Sequence, residues 1–142
     1  MDIKTYDYLP EEARYIREDV FVKEQGFTQE FDEIDPEAVH LVLFESGRAA
    51  ATCRHYYSEE HSCSVVGRIA VQKEFRGRHL GAEILSAAEQ MIKRTSHAEN
   101  PIMVGLSAQL QAEPFYEKQG YKRSGKEYLD EACPHVWMQK KL

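Results

Sequence analysis

From Ile3 to Tyr8 apolar and polar residues alternate, the period of a strand with one face in a core. Pro10 followed by Glu11 and Glu12 suits the first turn of a helix: proline lacks an N–H that this turn leaves unpaired, and acids meet the positive end of the helix dipole. Ile16, Val20 and Phe21 follow at helical spacing, and Gly26 marks the stop. Residues 27–37 are acidic and irregular. Residues 39–44 read as a strand, Ser46-Gly47 as a turn and 48–56 as the hairpin partner. A polar turn over 58–62 leads to a strand over 63–71. The spacing of Leu80, Ile84, Leu85, Ala88 and Met91 predicts a helix over 79–94. Residues 102–107 read as a strand and 113–119 as a short helix stopped by Gly120. Two closing strands fall at 121–124 and 136–140. The order β-α-β-β-β-α-β-α-β-β predicts an α/β fold with a mixed, mostly antiparallel sheet flanked by helices, in one domain over residues 1–142. The connection from 63–71 through the long helix to 102–107 should be a right-handed crossover, making those two strands parallel neighbours.

Composition narrows the partners. The chain has 142 residues, enough for a substantial core, and a formal net charge of −6. That sign disfavours nucleic acid, whose phosphates demand a basic face, and suits a cationic amine. No apolar run reaches membrane-spanning length, and Met1-Asp2-Ile3-Lys4 lacks the apolar core of a signal peptide, so the expected compartment is the cytoplasm. Cys53, Cys63 and Cys133 are odd in number and read as free thiols; a cross-strand Cys53–Cys63 bridge is the alternative that a reducing cytosol disfavours. His55, His61 and Cys63 fit no metal-site spacing, and no metal is expected.

The segment from Arg68 to Ala82 carries the chemistry. It runs from an apolar strand (Ile69, Ala70, Val71) through a charged turn (Arg76, Gly77, Arg78, His79) into a helix start (Leu80, Gly81, Ala82). Backbone N–H groups of such a turn, with the helix dipole behind them, cradle phosphate oxygens. The three-glycine dinucleotide pattern and the Gly-Lys-Ser/Thr ending of a P-loop are both absent. Taken alone, the turn also reads as an ordinary strand-to-helix connection with solvated arginines.

Two blocks decide between these. Arg76 to Gly81 is similar to the coenzyme A pyrophosphate loop, Gln/Arg-x-x-Gly-x-Gly/Ala, of the GCN5-related N-acetyltransferases (the GNAT superfamily). Arg76 and Gly81 match its ends, and His79 stands at the inner glycine, a replacement that fits if the backbone there is already helical. Ser107-Ala108-Gln109 through Pro114-Phe115-Tyr116-Glu117-Lys118-Gln119-Gly120-Tyr121 resembles the superfamily's next signature. Val20-Phe21-Val22-Lys23-Glu24-Gln25, Asp32-Glu33-Ile34-Asp35, His40-Leu41-Val42 and Pro134-His135-Val136-Trp137-Met138 resemble its ElaA/YjcF-like branch.

The resemblance implies a GNAT acyl-CoA N-acyltransferase fold with acetyl-CoA as co-substrate. Main-chain groups of Ile69, Ala70 and Val71 would hold the pantetheine arm, and N–H groups of residues 76–82 the pyrophosphate, with Arg76 and Arg78 adding charge. Gln109 and Ala112 would line the far side of the arm. Phe115, counted with that lining, reads first as a core aromatic.

The reaction implied is direct attack of a primary amine (a small amine, amino sugar or peptide amine) on the thioester. The amine must first lose a proton, the carbonyl oxygen needs a donor such as the Val71 N–H, and the leaving thiolate benefits from an acid. Tyr116 is the candidate acid. Glu24 and His135 are the leading base candidates; Glu33 and His40 lie in similar motifs. The run Asp32, Glu33, Asp35 reads first as a solvated loop. A non-catalytic acyl-CoA-binding module on the same fold is the alternative, and the chain is expected to be a monomer or homodimer.

Overall fold

The computed structural model describes residues 1–96 and 102–142. Among them eight strands form one mixed sheet: β1 (Asp2–Tyr6), β2 (Val39–Glu45), β3 (Arg48–Ser58), β4 (Cys63–Val71), β5 (Met103–Gln109), β6 (Lys122–Arg123), β7 (Tyr128–Asp130) and β8 (Cys133–Lys141). The spatial order is β1-β2-β3-β4-β5-β8-β6, with β7 also pairing β8. All neighbours are antiparallel except β4 and β5, which run parallel as the strand–helix–strand connection requires. The helices are α1 (Glu11–Arg17), α2 (Leu80–Thr95) and α3 (Glu113–Lys118).

The period-2 pattern of the strands sends alternate residues to two cores. Leu41 and Leu43 join Val66, Ile84, Leu85 and Leu106 beneath α2, whereas Val42 joins Ala13, Ile16, Val20 and Ala70 beneath α1. The expected elements are present, and the structure adds two features and settles one alternative. The helix after Pro10 changes to a π-helical segment over Glu18–Glu24, and Gly26, at φ 81°, follows its end. An additional short strand, β7, pairs with β8 through a turn, Glu131-Ala132, that contains no glycine although both residues have positive φ (47° and 66°). The Cys53–Cys63 bridge is excluded: Cys63 pairs with Ser58 and Cys53 with Leu41, and all three cysteines are free.

Two irregularities shape the centre of the sheet. β4 and β5 pair only at Ser64–Val104 and Val65–Gly105, so beyond that point the strands splay and the β5-facing main-chain edge of residues 66–71 has no strand partner. In β4, Thr52 faces Ala70 while Arg54 faces Gly67, so Arg68 and Ile69 both oppose Cys53 in a β-bulge with Arg68 at φ 52°.

Candidate active site

The splay opens two cavities that meet. The first, about 660 Å³, runs from the opened strand to the start of α2; its walls include Ile69, Ala70, Val71, Arg76, Gly77, His79, Leu80, Gly81, Ala82, Ala112, Phe115 and Tyr116. The second, about 520 Å³, lies on the other side of the bulge, between the acidic loop and the β7–β8 hairpin; His135, Arg68, Glu30, Asp32 and Glu131 line it. Gln25, Ile69, Ala112 and Tyr116 line both, which makes this quartet the junction.

The first cavity coincides with the segment that the sequence pattern singles out, from Ile69 to Ala82. A Cβ built on Gly81 would come within 3.4 Å of Phe115 Cζ, ordinary contact, so a methyl fits there and a larger side chain would fill the groove. This is the physical content of the Gly/Ala choice at that position. Phe115 thus serves both expected roles: it packs against the core and forms one wall. His79 corrects an expectation. Its backbone is left-handed, φ 61° and ψ 21°, immediately before α2, not right-handed helical. The family's inner glycine follows from that conformation, which histidine enters more readily than most residues.

Several of the expected side chains have partners that the resemblance does not imply. The Arg76 guanidinium holds Glu24 through both oxygens (2.6 and 2.8 Å) and donates through Nε to the Val71 carbonyl (3.0 Å). That hydrogen bond and charge hold the Glu24 carboxyl below its ordinary value, which weakens it as a base, and Glu24 lines neither cavity. Arg78 lies over the Phe75 ring, 5.4 Å from its centroid. Gln109 faces the second cavity, where it donates to Gln25 Oε1 at 2.7 Å. His40 is buried with Nε2 2.9 Å from the Asp35 carbonyl, and Glu33 is exposed.

Tyr116 and His135 stand on opposite elements around the junction. Tyr116, on α3, packs edge-on against Phe115 and Tyr121, and burial, reinforced by nearby Cys53, pushes its phenol well above the ordinary tyrosine value. It therefore holds its proton at neutral pH. His135 is buried on β8 with its ring stacked on Tyr128 and its Nδ1 2.8 Å from the Cys133 carbonyl. A carbonyl only accepts, so Nδ1 carries the hydrogen and Nε2 keeps a lone pair in the neutral ring. Nothing in the spacing of the sequence singles this histidine out over His40; the distinction lies in which carbonyl each ring meets and which face of the sheet it occupies.

The floor of the second cavity is a closed ionic network. Arg17 binds Glu30 (2.8 Å) and Asp35 (2.8 Å), Arg54 binds Asp32 and Asp35 (both 2.7 Å), and Arg68 binds Glu30 (2.9 Å) and Asp32 (3.4 Å). Asp32 and Asp35, expected in a solvated loop, are here structural anions. Burial works against their ionisation, but the hydrogen bonds from Arg54 and Arg17 outweigh it and lower both pKa values. At Glu30 burial prevails and the pKa rises. Sequence reasoning missed Gln25, Glu30, Arg68 and Glu131. Gln25 was the nearest to legible, one residue beyond Glu24 in the same motif.

The comparisons agree with this geometry. Residues 5–142 match the family model described as an acetyltransferase (GNAT) domain. The chain is 36% identical over 132 residues to the uncharacterized N-acetyltransferase YjcF of Bacillus subtilis, covering 91% of this chain and 90% of the relative. Among solved structures, an acyl-CoA N-acyltransferase from Pseudomonas aeruginosa superposes with a TM-score of 0.83 at 26% identity, covering 99% of both chains. Escherichia coli ElaA superposes with a TM-score of 0.84 at 23% identity, covering 98% of both.

Proposed function

The chain belongs to the GNAT acetyltransferase family, in its ElaA/YjcF-like branch, and from that premise we propose that it transfers acetyl from acetyl-CoA to a primary amine by direct attack in a ternary complex. The observation that carries this reading is the junction: a cleft suited to the acyl donor and a separate polar cavity share Tyr116, Ile69, Ala112 and Gln25. Acetyl-CoA supplies the activated carbonyl carbon. The unpaired edge of β4 and the N–H groups at the start of α2 bind and orient its arm and phosphates.

His135 Nε2 takes a proton from the acceptor's ammonium, directly or through a water, and the neutral amine then attacks, while the Nδ1–H stays on the Cys133 carbonyl. The Val71 N–H is the candidate donor to the oxygen that gains charge. Tyr116 hydrogen-bonds the sulfur as it leaves and passes it a proton, and the proton that the nitrogen sheds on forming the amide returns to the phenol, so no phenolate is left in the buried site. Arg76 acts through position: clamped by Glu24 and the Val71 carbonyl, it holds the end of β4 against the pyrophosphate turn.

Thiol release from acetyl-CoA with a panel of primary amines tests the reading. Tyr116→Phe should lower kcat by about 10²-fold or more with unchanged CoA affinity, and His135→Gln should do the same. Full activity in Tyr116→Phe would remove the acid assignment. CoA binding without thiol release for any amine would favour a non-catalytic acyl-CoA-binding module.

A further inference from the structure

Arg68 occupies an unusual place for an arginine. It is the bulged residue of a central strand and holds φ 52°, a left-handed conformation that L side chains enter at a cost. The bulge turns it to the wall of the second cavity, beside the junction residue Ile69. Its guanidinium is fixed along one edge: Nε and Nη2 donate to the Glu30 carbonyl (3.2 and 3.0 Å), Nε also meets Glu30 Oε2, and Nη2 reaches Asp32 Oδ2 (3.4 Å). Nη1 bonds to no partner among the described residues, and it is not among the buried unsatisfied atoms. Nη1 therefore keeps solvent-accessible surface, on a residue that lines the cavity and is about a quarter exposed.

The charges around it define what those hydrogens can meet. Arg17, Arg54 and Arg68 balance Glu30, Asp32 and Asp35, so the floor is neutral and its carboxylates are already engaged. On the facing hairpin, Glu131 is occupied by Thr28 N–H, Thr28 Oγ and Gln29 N–H (2.9, 2.6 and 3.1 Å). Asp130, exposed and lining the cavity, has a carboxylate with no hydrogen-bonded or ion-paired partner among the described residues. The cavity thus offers one fixed cationic donor on the β4 wall and one free carboxylate on the opposite wall.

Resting on the acetyl-transfer reading, we infer that Arg68 receives an anionic oxygen group of the acceptor, so that the acceptor is an amine that also carries a carboxylate or a phosphate. An oxyanion reaching Nη1 gains a charge-assisted hydrogen bond from a donor already oriented by Glu30 and Asp32, so little side-chain freedom is lost on binding. Asp130 stands where the ammonium would pass toward His135. A neutral amine would leave the Nη1 hydrogens unpaired in the closed complex.

Matched amine pairs test this: an amino acid against its carboxamide, and glucosamine phosphate against glucosamine. Each is followed by thiol release and by calorimetric binding to the CoA-loaded protein. The anionic member should be preferred by about tenfold or more in at least one pair, and the pair that responds identifies carboxylate or phosphate as the group read. Arg68→Gln should abolish the preference, and Arg68→Lys, which keeps the charge but loses the fixed edge, should retain part of it. Arg68→Gly, suited to φ 52°, provides a second variant without the guanidinium, and CoA binding in each variant verifies the fold. Equal use of both members by the native protein, or a preference that survives in Arg68→Gln and Arg68→Gly, overturns the assignment. If no amine turns over, discrimination in the binding arm upholds Arg68 and overturns transfer, whereas its absence there overturns Arg68.

Discussion

At His79 the main chain turns left-handed just before α2, and an imidazole sits where the conformation favours glycine. For an L residue that conformation costs about 1–2 kcal/mol, and glycine returns part of the difference through the greater freedom of its unfolded chain. His79→Gly should therefore stabilise the fold by about 0.5–1 kcal/mol, measured by urea unfolding. The same variant separates two roles for the side chain. Unchanged CoA affinity identifies His79 as a tolerated replacement that serves only the turn; a weaker affinity identifies the imidazole as a phosphate contact. We expect the former, because the backbone N–H groups of the turn survive the substitution.

At the scale of elements, the splay between β4 and β5 begins where Gly105 pairs with Val65. The Trp137 ring lies across Gly105, and a Cβ built there would overlap Cζ2 and come within 2.9 Å of Cε2. His61 stacks on the same ring with centroids 4.0 Å apart, which further confines the indole. Gly105→Ala should cost about 1–3 kcal/mol by thermal unfolding, the price of overpacking, and should weaken CoA binding by disturbing the start of the splay. The strands themselves were legible because each carries a strong period-2 pattern, and α2 because Leu80, Ile84, Leu85 and Ala88 repeat at helical spacing. Motif resemblance picked out the turn before α2 and Tyr116, and both line the first cavity. The bulge at Arg68, the glycine-free turn at Glu131-Ala132 and the Arg76–Glu24 clamp were not. Each depends on a partner distant in sequence: the register of β3, the amides of Thr28 and Gln29, and the approach of the π-helical segment to the turn. Local pattern carries no trace of such partners, and at Arg68 and Glu131 it argues against the conformation adopted.

Across the whole molecule, the ionic network couples α1, the acidic loop, β3 and β4 beneath the second cavity, while none of its six residues lines the first. Asp35 is its hub, shared by Arg17 and Arg54 and accepting the Asp32 N–H. Asp35→Asn keeps the shape but leaves two buried guanidinium groups undercompensated, a change that costs about 3–5 kcal/mol at neutral pH. The pH dependence follows from the direction of the shift. Asp35 is lowered in the folded protein, so its contribution is fully present above the unfolded carboxylate value near 3.9 and is lost as pH falls through the folded one. Native and Asp35→Asn stabilities should therefore differ most at neutral pH and converge below about pH 4. Glu30 runs oppositely. Its raised pKa makes ionisation a cost that grows as pH rises, so Glu30→Gln should lose less at neutral pH than Asp35→Asn does. Burial lowers His55 to about 4, which removes further native stability as pH falls from 6.5 towards that value. His55→Leu should flatten that part of the curve, leaving the Asp35 step to be read below it. In the Asp35→Asn protein held at a temperature where it stays folded, CoA affinity should be retained and acceptor binding weakened, because the floor that positions Arg68 has lost its hub while the opened edge of β4 has not.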